Sequence, residues 1–315
     1  MLECKIGLAL PGVHANLRQS PRPVAREPGM FKRIALISGN HAAEIRDTLV
    51  AVAGYLRSRN IEIAPDEFCA RLMRESGLDP AATAKAPTGC DLAIAIGGDG
   101  TMLRAARLLA DYNVPLLGIN RGRLGFLADI PADDVESHLG RILDGQFVED
   151  ERFQLHCQVE RGGKTVLESS AFNDVIIQKW NIAKLVELQT FVNGTLLHSQ
   201  RADGMIISSP TGSTAYALSG GGPILHPALD ALVLVPICPH TLSNRPIVID
   251  GNSTVEVVVG TPEIDRASLT CDGDIACDLQ TNDRVIIRKK DKRIRLIHPR
   301  NHDHFSILRA KLHWG

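Results

Sequence analysis

Residues 91–109, DLAIAIGGDGTMLRAARLL, run from an apolar stretch through Gly97, Gly98 and Gly100 into a helix-like tail, with Asp99 at the centre of the turn. Backbone amides at the mouth of a helix converge on anions, so this turn suits a phosphate chain, and Thr101 is placed to cap the helix. The spacing is neither GxxxxGK[ST] nor GxGxxG, which separates it from the two common glycine fingerprints. A carboxylate there repels phosphate unless the reaction uses it. It can accept the proton of an attacking hydroxyl, or hold the magnesium that accompanies a nucleoside triphosphate. The plainer reading is a strand-to-helix turn with a solvated aspartate, and three glycines around one acid are more than such a turn requires.

A second concentration of special residues is RADGMIISSPTGSTAYALSGGGPILHP, residues 201–227, two glycine-rich turns around a hydroxyl-rich segment. Ser213 or Thr214 can cap a short helix there, and the exposed amides, hydroxyls and Tyr216 ring suit a sugar and a base together. The plainer alternative is a β-domain loop with a buried tyrosine. Upstream, AFNDVIIQKW sets Asn173 beside Asp174 at the start of a strand-like run, an amide and a carboxylate suited to a base edge and ribose hydroxyls.

The elements that must position these residues divide the chain. From Met30 onward, RIALIS, EIRDTLVAVAGYLRSR, DLAIAI, TMLRAARLLADY and PLLGI alternate strand with helix. This pattern predicts right-handed crossovers and a parallel sheet with ligands at the strands' carboxyl ends. Beyond about residue 150 the pattern changes to short alternating runs such as LVELQTFV and DRVIIRKK, separated by the turn pairs Asn193-Gly194 and Asp272-Gly273. The predicted fold is a Rossmann-like parallel α/β domain over 30–149 and a β-rich, β-sandwich-like domain over 150–298. FSILRAKLHWG has helical spacing within a tail over 299–315. Residues 1–29 hold a proline and arginine cluster without hydrophobic period, and read as a disordered extension or a start placed too early.

The 315 residues are 44% hydrophobic, enough for two cores, with 35 basic and 36 acidic side chains and a net charge of -1. That balance gives no bulk attraction to nucleic acid or an anionic membrane, so an anionic ligand has to be held locally. Seven cysteines, odd in number and never in a CxxC pair, argue against a disulfide framework and a zinc site and point to the reducing cytoplasm. No apolar run reaches bilayer-spanning length.

GGDGT, GINRGRLGFL at 118–127, FNDVII, DGMIISSPTGSTAYALSGGGPILHP and LVPICPHTLSNRPIVI, taken in order, closely resemble the NAD kinase family. The resemblance implies a kinase moving the γ-phosphate of ATP to the adenosine 2′-hydroxyl of NAD, giving NADP, with a divalent metal, Mg2+. It implies a homo-oligomer, dimer or tetramer, whose C-terminal tail returns to the first domain and whose NAD site is built from two subunits. It places the proton acceptor at Asp99 beside Gly100, and NAD contacts at Asn173, Asp174, Lys184, Arg201, Asp203 and the run Thr214, Ala215, Tyr216, Ala217, Leu218 and Ser219. The family more often has Glu where this chain has Asp174, a carboxylate one methylene shorter. A further cofactor-contacting position falls near Gly273 or Asp274.

Lipid kinases of the diacylglycerol or sphingosine type share a GGDGT loop, but need an apolar cavity that the hydroxyl-rich segment at 209–219 argues against. A non-catalytic NAD-sensing module has no use for Asp99 among phosphate-cradling glycines. His298, His302 and His304 read as exposed residues of a polar tail rather than metal ligands, and no residue is assigned to a protein-held metal. RKKDKRIRL reads as a strand with a solvated face rather than a nucleic-acid patch. Arg121 and Arg123 can meet a triphosphate or form a salt-bridged turn.

Overall fold

The computed structural model describes residues 29–39, 42–80, 87–122, 125–128, 130–180, 185–241, 243–260 and 267–314, together with residue 83 and the pair Arg22–Pro23. The N-terminal half contains β1 (Arg22–Pro23), β2 (Arg33–Ser38), α1 (Ala42–Ser58), β3 (Glu62–Pro65), α2 (Glu67–Glu75), β4 (Leu92–Gly97), α3 (Asp99–Leu109), β5 (Leu116–Asn120), β6 (Ile130–Pro131) and α4 (Val135–Leu143). Its strands lie parallel in the order β5-β4-β2-β3. The apolar stretches that become β3, α2 and α4 are only four to nine residues long, too short to stand out by periodicity.

β4 is a continuous apolar run because both of its faces are covered. Leu92, Ile94 and Ile96 pack in one core with α1, α2 and α4, while Ala93 and Ala95 face Met102, Ala105, Ala106 and Leu109 of α3 in another. The helices that follow β2 and β4 thus lie on opposite faces of the sheet. The winding direction reverses between these two strands, which opens a crevice at their carboxyl ends.

The second half contains β7 (Phe147–Arg161), β8 (Lys164–Ala171), β9 (Asp174–Lys179), β10 (Val186–Val192), β11 (Thr195–Ala202), β12 (Gly204–Ser208), a 3-10 turn (Thr211–Thr214), α5 (Tyr216–Ser219), β13 (Ala231–Ile237), β14 (Ile247–Asp250), β15 (Val255–Gly260), β16 (Ala267–Cys271), β17 (Asp274–Leu279), β18 (Arg284–Pro299) and α6 (His304–Leu312). A six-stranded antiparallel sheet, β14-β13-β12-β9-β16-β17, packs against the β7, β8, β10, β15 and β18 part of the larger sheet. Val175, Ile177, Met205 and Ile207 meet Val255, Val257, Val285 and Ile287 between the two layers, the expected sandwich. Asn193-Gly194 and Asp272-Gly273 close the β10–β11 and β16–β17 hairpins with φ of 51°, 77°, 53° and 84°, the conformation that tight two-residue turns need.

Three features depart from the sequence expectations. β7 and β18 are 15 and 16 residues long rather than short. They pair with each other along nearly their full length, across an irregularity between Lys289 and Arg293, and Lys289, Lys290 and Arg295 of the basic run are offset by Asp230, Asp111 and Glu149. Secondly, β18 also pairs in parallel with β5 at Leu296–Ile297. The larger sheet is therefore continuous through both halves, and the return to the α/β half begins in β18, before the tail. The expected boundary at 150 falls inside β7. Thirdly, Arg22 and Pro23 of the extension expected to be disordered pair with Glu149 and Val148. β8 covers that edge of β7 only from Leu155 onward, so the open edge at 148–149 accepts a short strand. Most of residues 1–29 lie outside the described residues.

Candidate active site

α3 begins at Asp99 with Gly98 as its N-cap and no side-chain cap, so Thr101 does not cap the helix as expected. Thr101 is the third helical residue, and its hydroxyl fills the space beneath Gly97 and Gly39, where a Cβ on either glycine overlaps Oγ1. Gly97 has φ of 152°, a conformation open to glycine. Gly39 follows β2 directly, so the Thr101 hydroxyl sits at the crevice between β2 and β4. Gly39 carries no signal in the sequence beyond being a glycine directly after RIALIS. A Cβ at Gly98 or Gly100 meets nothing within 4 Å, which leaves their backbone open to approach by a ligand.

The Asp99 carboxylate turns away from the glycine amides toward the loop after β5. Oδ2 accepts from the Phe126 amide at 2.9 Å, and Oδ1 from Leu127 at 3.0 Å and Ala128 at 3.4 Å. Gly125 permits this approach, since a Cβ there overlaps Asp99 Oδ1. A carboxylate offers about four lone-pair sites. Three amides occupy one on Oδ2 and two on Oδ1, leaving an acceptor position on Oδ2.

The Asn173–Asp174 turn is held on both sides. Its amides, with that of Phe172, point at Asp272, which accepts from Phe172 at 2.8 Å, Asn173 at 2.7 Å and Asp174 at 3.3 Å. The carbonyls of Asn173 and Phe172 are taken by serines: Ser209 N and Ser208 Oγ donate to Asn173 O at 2.9 and 3.2 Å, and Ser209 Oγ donates to Phe172 O at 2.6 Å. The 3-10 turn closes over this carbonyl, and a Cβ on Gly212 runs into Asn173 O. Asn173 Oδ1 is buried without a hydrogen-bond partner. Asp174 is buried, and burial, reinforced by the neighbouring Asp272, pushes its carboxyl up to about 7.

Neither Ser213 nor Thr214 caps a helix. Ser213 Oγ donates to Pro210 O and receives Leu225 N, locking the two glycine-rich turns together, and Thr214 Oγ1 reaches Thr211 O. α5 starts after Ala215 without a side-chain cap. Tyr216 is exposed rather than buried and Ser219 is exposed, while Ala217 packs into the apolar cluster of Ile206, Val233 and Val235 and can offer a ligand only its backbone. Leu218 is half-buried.

Arg201 and Asp203 lie at the other end of β12. Ser208 pairs with Asp174 and Gly204 with Gln178, and Asp203 is bridged to Lys179 at 2.6 Å. Five strand residues separate the two ends by roughly 17 Å, so one chain does not gather all the expected NAD contacts at one point. Lys184 and Arg123 lie outside the described residues. Arg121 is exposed and donates to Thr48 Oγ1 at 3.0 Å.

Phe126 and Leu127, whose amides hold Asp99, line a small cleft with Arg152, Pro210, Thr211, Thr214, Pro227 and His304. Arg152 is buried, donates to Asp150 at 2.7 Å and approaches Thr211 Oγ1 at 3.3 Å. The histidines are not a solvated tail as expected. His298 is buried and its ring stacks on His302 at 3.9 Å, because β18 carries it into the sheet, while His304 packs on His226 at 5.3 Å. Burial lowers His304 to about 4, so it is neutral at neutral pH. Among the described residues no three His, Cys, Asp or Glu side chains converge into a metal site.

Residues 42–147 match the ATP-NAD kinase N-terminal domain and residues 172–299 the ATP-NAD kinase C-terminal domain. The chain is 44% identical over 285 residues to the NAD kinase of Chromohalobacter salexigens and 45% identical over 285 residues to that of Nitrosococcus oceani, covering 90% of this chain and 97% of each relative. Its fold is similar to that of yeast NADH kinase complexed with NADH (TM-score 0.82, 21% identity, 91% and 89% of the two chains). It is also similar to that of an NAD kinase from Archaeoglobus fulgidus in complex with ATP (TM-score 0.68, 22% identity, 88% and 99%). With both family domains matched in order and relatives of this identity spanning nearly the whole chain, the chain belongs to the NAD kinase family.

Proposed function

We propose that this protein transfers the γ-phosphate of ATP to the adenosine 2′-hydroxyl of NAD, giving NADP, with Asp99 as the proton acceptor. The observation that carries this reading is the shared cleft: the loop that holds Asp99 and the 3-10 turn beside the Asn173–Asp174 turn line the same depression. The open backbone of Gly98 and Gly100, at the N-terminus of α3, receives the triphosphate. Family membership sets the lipid-kinase alternative aside.

In this reading the 2′-hydroxyl lies against Asp99 Oδ2 and gives up its proton as the oxygen bonds to the γ-phosphorus and ADP leaves. The three amides fix the carboxylate so that it neither swings into the phosphates nor loses its aim. The divalent cation enters with ATP, as Mg2+-ATP. When bound, it offsets charge on the transferring phosphates. Asn173 Oδ1, buried without a partner, is an acceptor suited to a donor on the base of NAD, and Tyr216 offers an exposed ring face to a base or sugar. Thr214, Ala215, Leu218 and Ser219 extend that surface.

Residues 30–149 serve as the ATP-binding part, 150–298 as the NAD-binding part and 299–315 as a tail that returns to the first. Arg201, Asp203 and Lys184 complete the NAD site from a second subunit, which accommodates the separation along β12. The working form is then a homo-oligomer, dimer or tetramer, and the compartment is the cytoplasm. No helix among the described residues is long and apolar enough to cross a membrane.

The direct test is incubation of the purified protein with Mg2+-ATP and NAD, with product identified by a dehydrogenase that accepts only NADP. Diacylglycerol replaces NAD in a parallel reaction. NADP formation without lipid phosphorylation is expected, and the reverse outcome refutes the reading.

A further inference from the structure

We propose that Asp272 and Arg107 are positioning residues that fix the Asn173–Asp174 turn to the helix bearing Asp99, so that acceptor and base stay in register. This rests on the reading of that turn as an NAD contact. Asp272 stands in the β16–β17 hairpin with φ of 53°, and the sequence marks it only as half of a turn pair with Gly273. The fold makes it the receiver of three consecutive amides, those of Phe172, Asn173 and Asp174, while its own amide donates to Asp174 O at 3.0 Å. No other side-chain carboxylate among the described residues receives hydrogen bonds from that turn.

A carboxylate with a fully buried side chain is costly unless its charge is answered. Arg107 answers it. The guanidinium sits 4.0 Å from Asp272, donates to the Cys271 carbonyl at 2.8 Å and pairs with the exposed Asp274. One side chain therefore grips the hairpin at three residues, Cys271, Asp272 and Asp274, a spread that a planar fork of five donors suits better than the compact ammonium of lysine.

Arg107 lies in the last turn of α3, and Asp99 is the first residue of the same helix. The eight helical steps between them give a rigid spacer of roughly 12 Å. α3 is held independently of Arg107. Met102, Ala105, Ala106 and Leu109 share a core with Phe172, and Gln154 donates to Ala106 O at 3.0 Å. Phe172 thus packs against the α3 core while its amide is bound to Asp272, and the following two residues inherit both constraints. The chain of contact runs Asp99, α3, Arg107, Asp272, Asn173–Asp174, through covalent helix and direct polar contacts. Asp274, one of the two positions expected near the cofactor with Gly273, pairs with Arg107.

The test uses the full-length protein with Arg107→Ala, Arg107→Lys, Asp272→Asn and, as a reference for the site itself, Asn173→Ala. Amide hydrogen exchange of 172–174 is measured alongside steady-state kinetics with NAD and ATP varied separately. Arg107→Ala, at a partly exposed position, is expected to fold. It should raise exchange at 172–174 by about tenfold or more and the KM for NAD by about tenfold, with the KM for ATP within about twofold. Asp272→Asn should act in the same direction and more strongly, and Arg107→Lys should recover part of the loss. Unchanged exchange in Arg107→Ala overturns the clamp. Raised exchange with an unchanged KM for NAD, in a background where Asn173→Ala does raise it, overturns the positioning role. An Asn173→Ala variant with an unaltered KM for NAD instead removes the NAD reading of the turn, and the functional half of this inference with it.

Discussion

Two turns, each bearing an aspartate, face the reaction in opposite ways. Asp99 is half-exposed, and its carboxylate is met by three backbone amides from a loop folded toward it. Asp174 is buried, with a second carboxylate behind it, and its carboxyl is pushed up to about 7. In the first turn the structure supplies donors to a carboxylate; in the second it spends the amides on Asp272 and leaves Asp174 to its surroundings. Amide donors favour an ionised acid and burial disfavours it. The same residue type thus meets different surroundings in the two turns, which suit the proposed roles of a fixed proton acceptor at the first and a titrating nucleoside contact at the second.

Asp99→Asn tests the sharpest side of this contrast and carries the largest expected effect. Turnover should fall by about 10²- to 10⁴-fold while melting temperature and NAD affinity change little. Raising the magnesium concentration should not restore it. Recovery with excess metal reassigns Asp99 to holding the cation, and retention of more than about a third of turnover reduces it to a turn residue.

The second turn is expected to be incomplete within one chain. Arg201→Ala and Asn173→Ala variants, each strongly weakened alone at low NAD, should recover about a quarter of wild-type activity there when unfolded and refolded together, because half the resulting dimers hold one intact site of two. No recovery on mixing, with oligomers formed, places all NAD contacts in one subunit.

With Asp174 as the proposed NAD contact, its raised carboxyl is expected to make NAD binding pH-dependent. The ionised form accepts from ribose hydroxyls more strongly than the protonated one, so the KM for NAD should fall by up to about tenfold between pH 6 and 8 and level off above. Asp174→Asn should flatten that profile. The stability sign is opposite. A carboxyl raised from 3.8 to about 7 keeps its proton in the folded chain over a range where the unfolded chain has lost it. Stability from this group is greatest at low pH and declines as pH rises through that window. Asp174→Asn should therefore raise the melting temperature by several degrees at pH 8 and by little near pH 4. An equal shift at both pH values argues against a buried, titrating carboxyl.

Tyr216→Ala removes an exposed ring beside the second turn and should raise the KM for NAD by about fivefold, leaving that for ATP nearly unchanged. Equal effects on both substrates detach Tyr216 from the nucleoside. The smallest effect is expected from the N-terminal segment. Deleting residues 1–21 should leave activity unchanged and the melting temperature within about 1 °C, whereas deletion through residue 28 also strips β1 from the edge of β7 and should cost slightly more. A large loss from the shorter deletion contradicts this.

Local chemistry is what the sequence determined by itself. Glycines and an acid between an apolar strand and a helix define GGDGT, alternation and turn pairs define the β half, and motifs in order suffice to suggest the family. These depend on neighbours in the chain, whose influence reaches only a few residues. Contacts between distant segments were decided by tertiary structure alone. Thr101 and Ser213 look like caps by position, yet each hydroxyl is claimed by packing, against Gly97 and Gly39 in one case and Leu225 in the other. His298 looks solvated beside charged neighbours until β18 carries it into the sheet. Asp272 stands 98 residues from Asp174 in the chain, and Arg107 stands 164 from Cys271. Nothing in local spacing encodes such pairs, because burial and the direction of a side chain are set only when two halves of one continuous sheet close around the same helix.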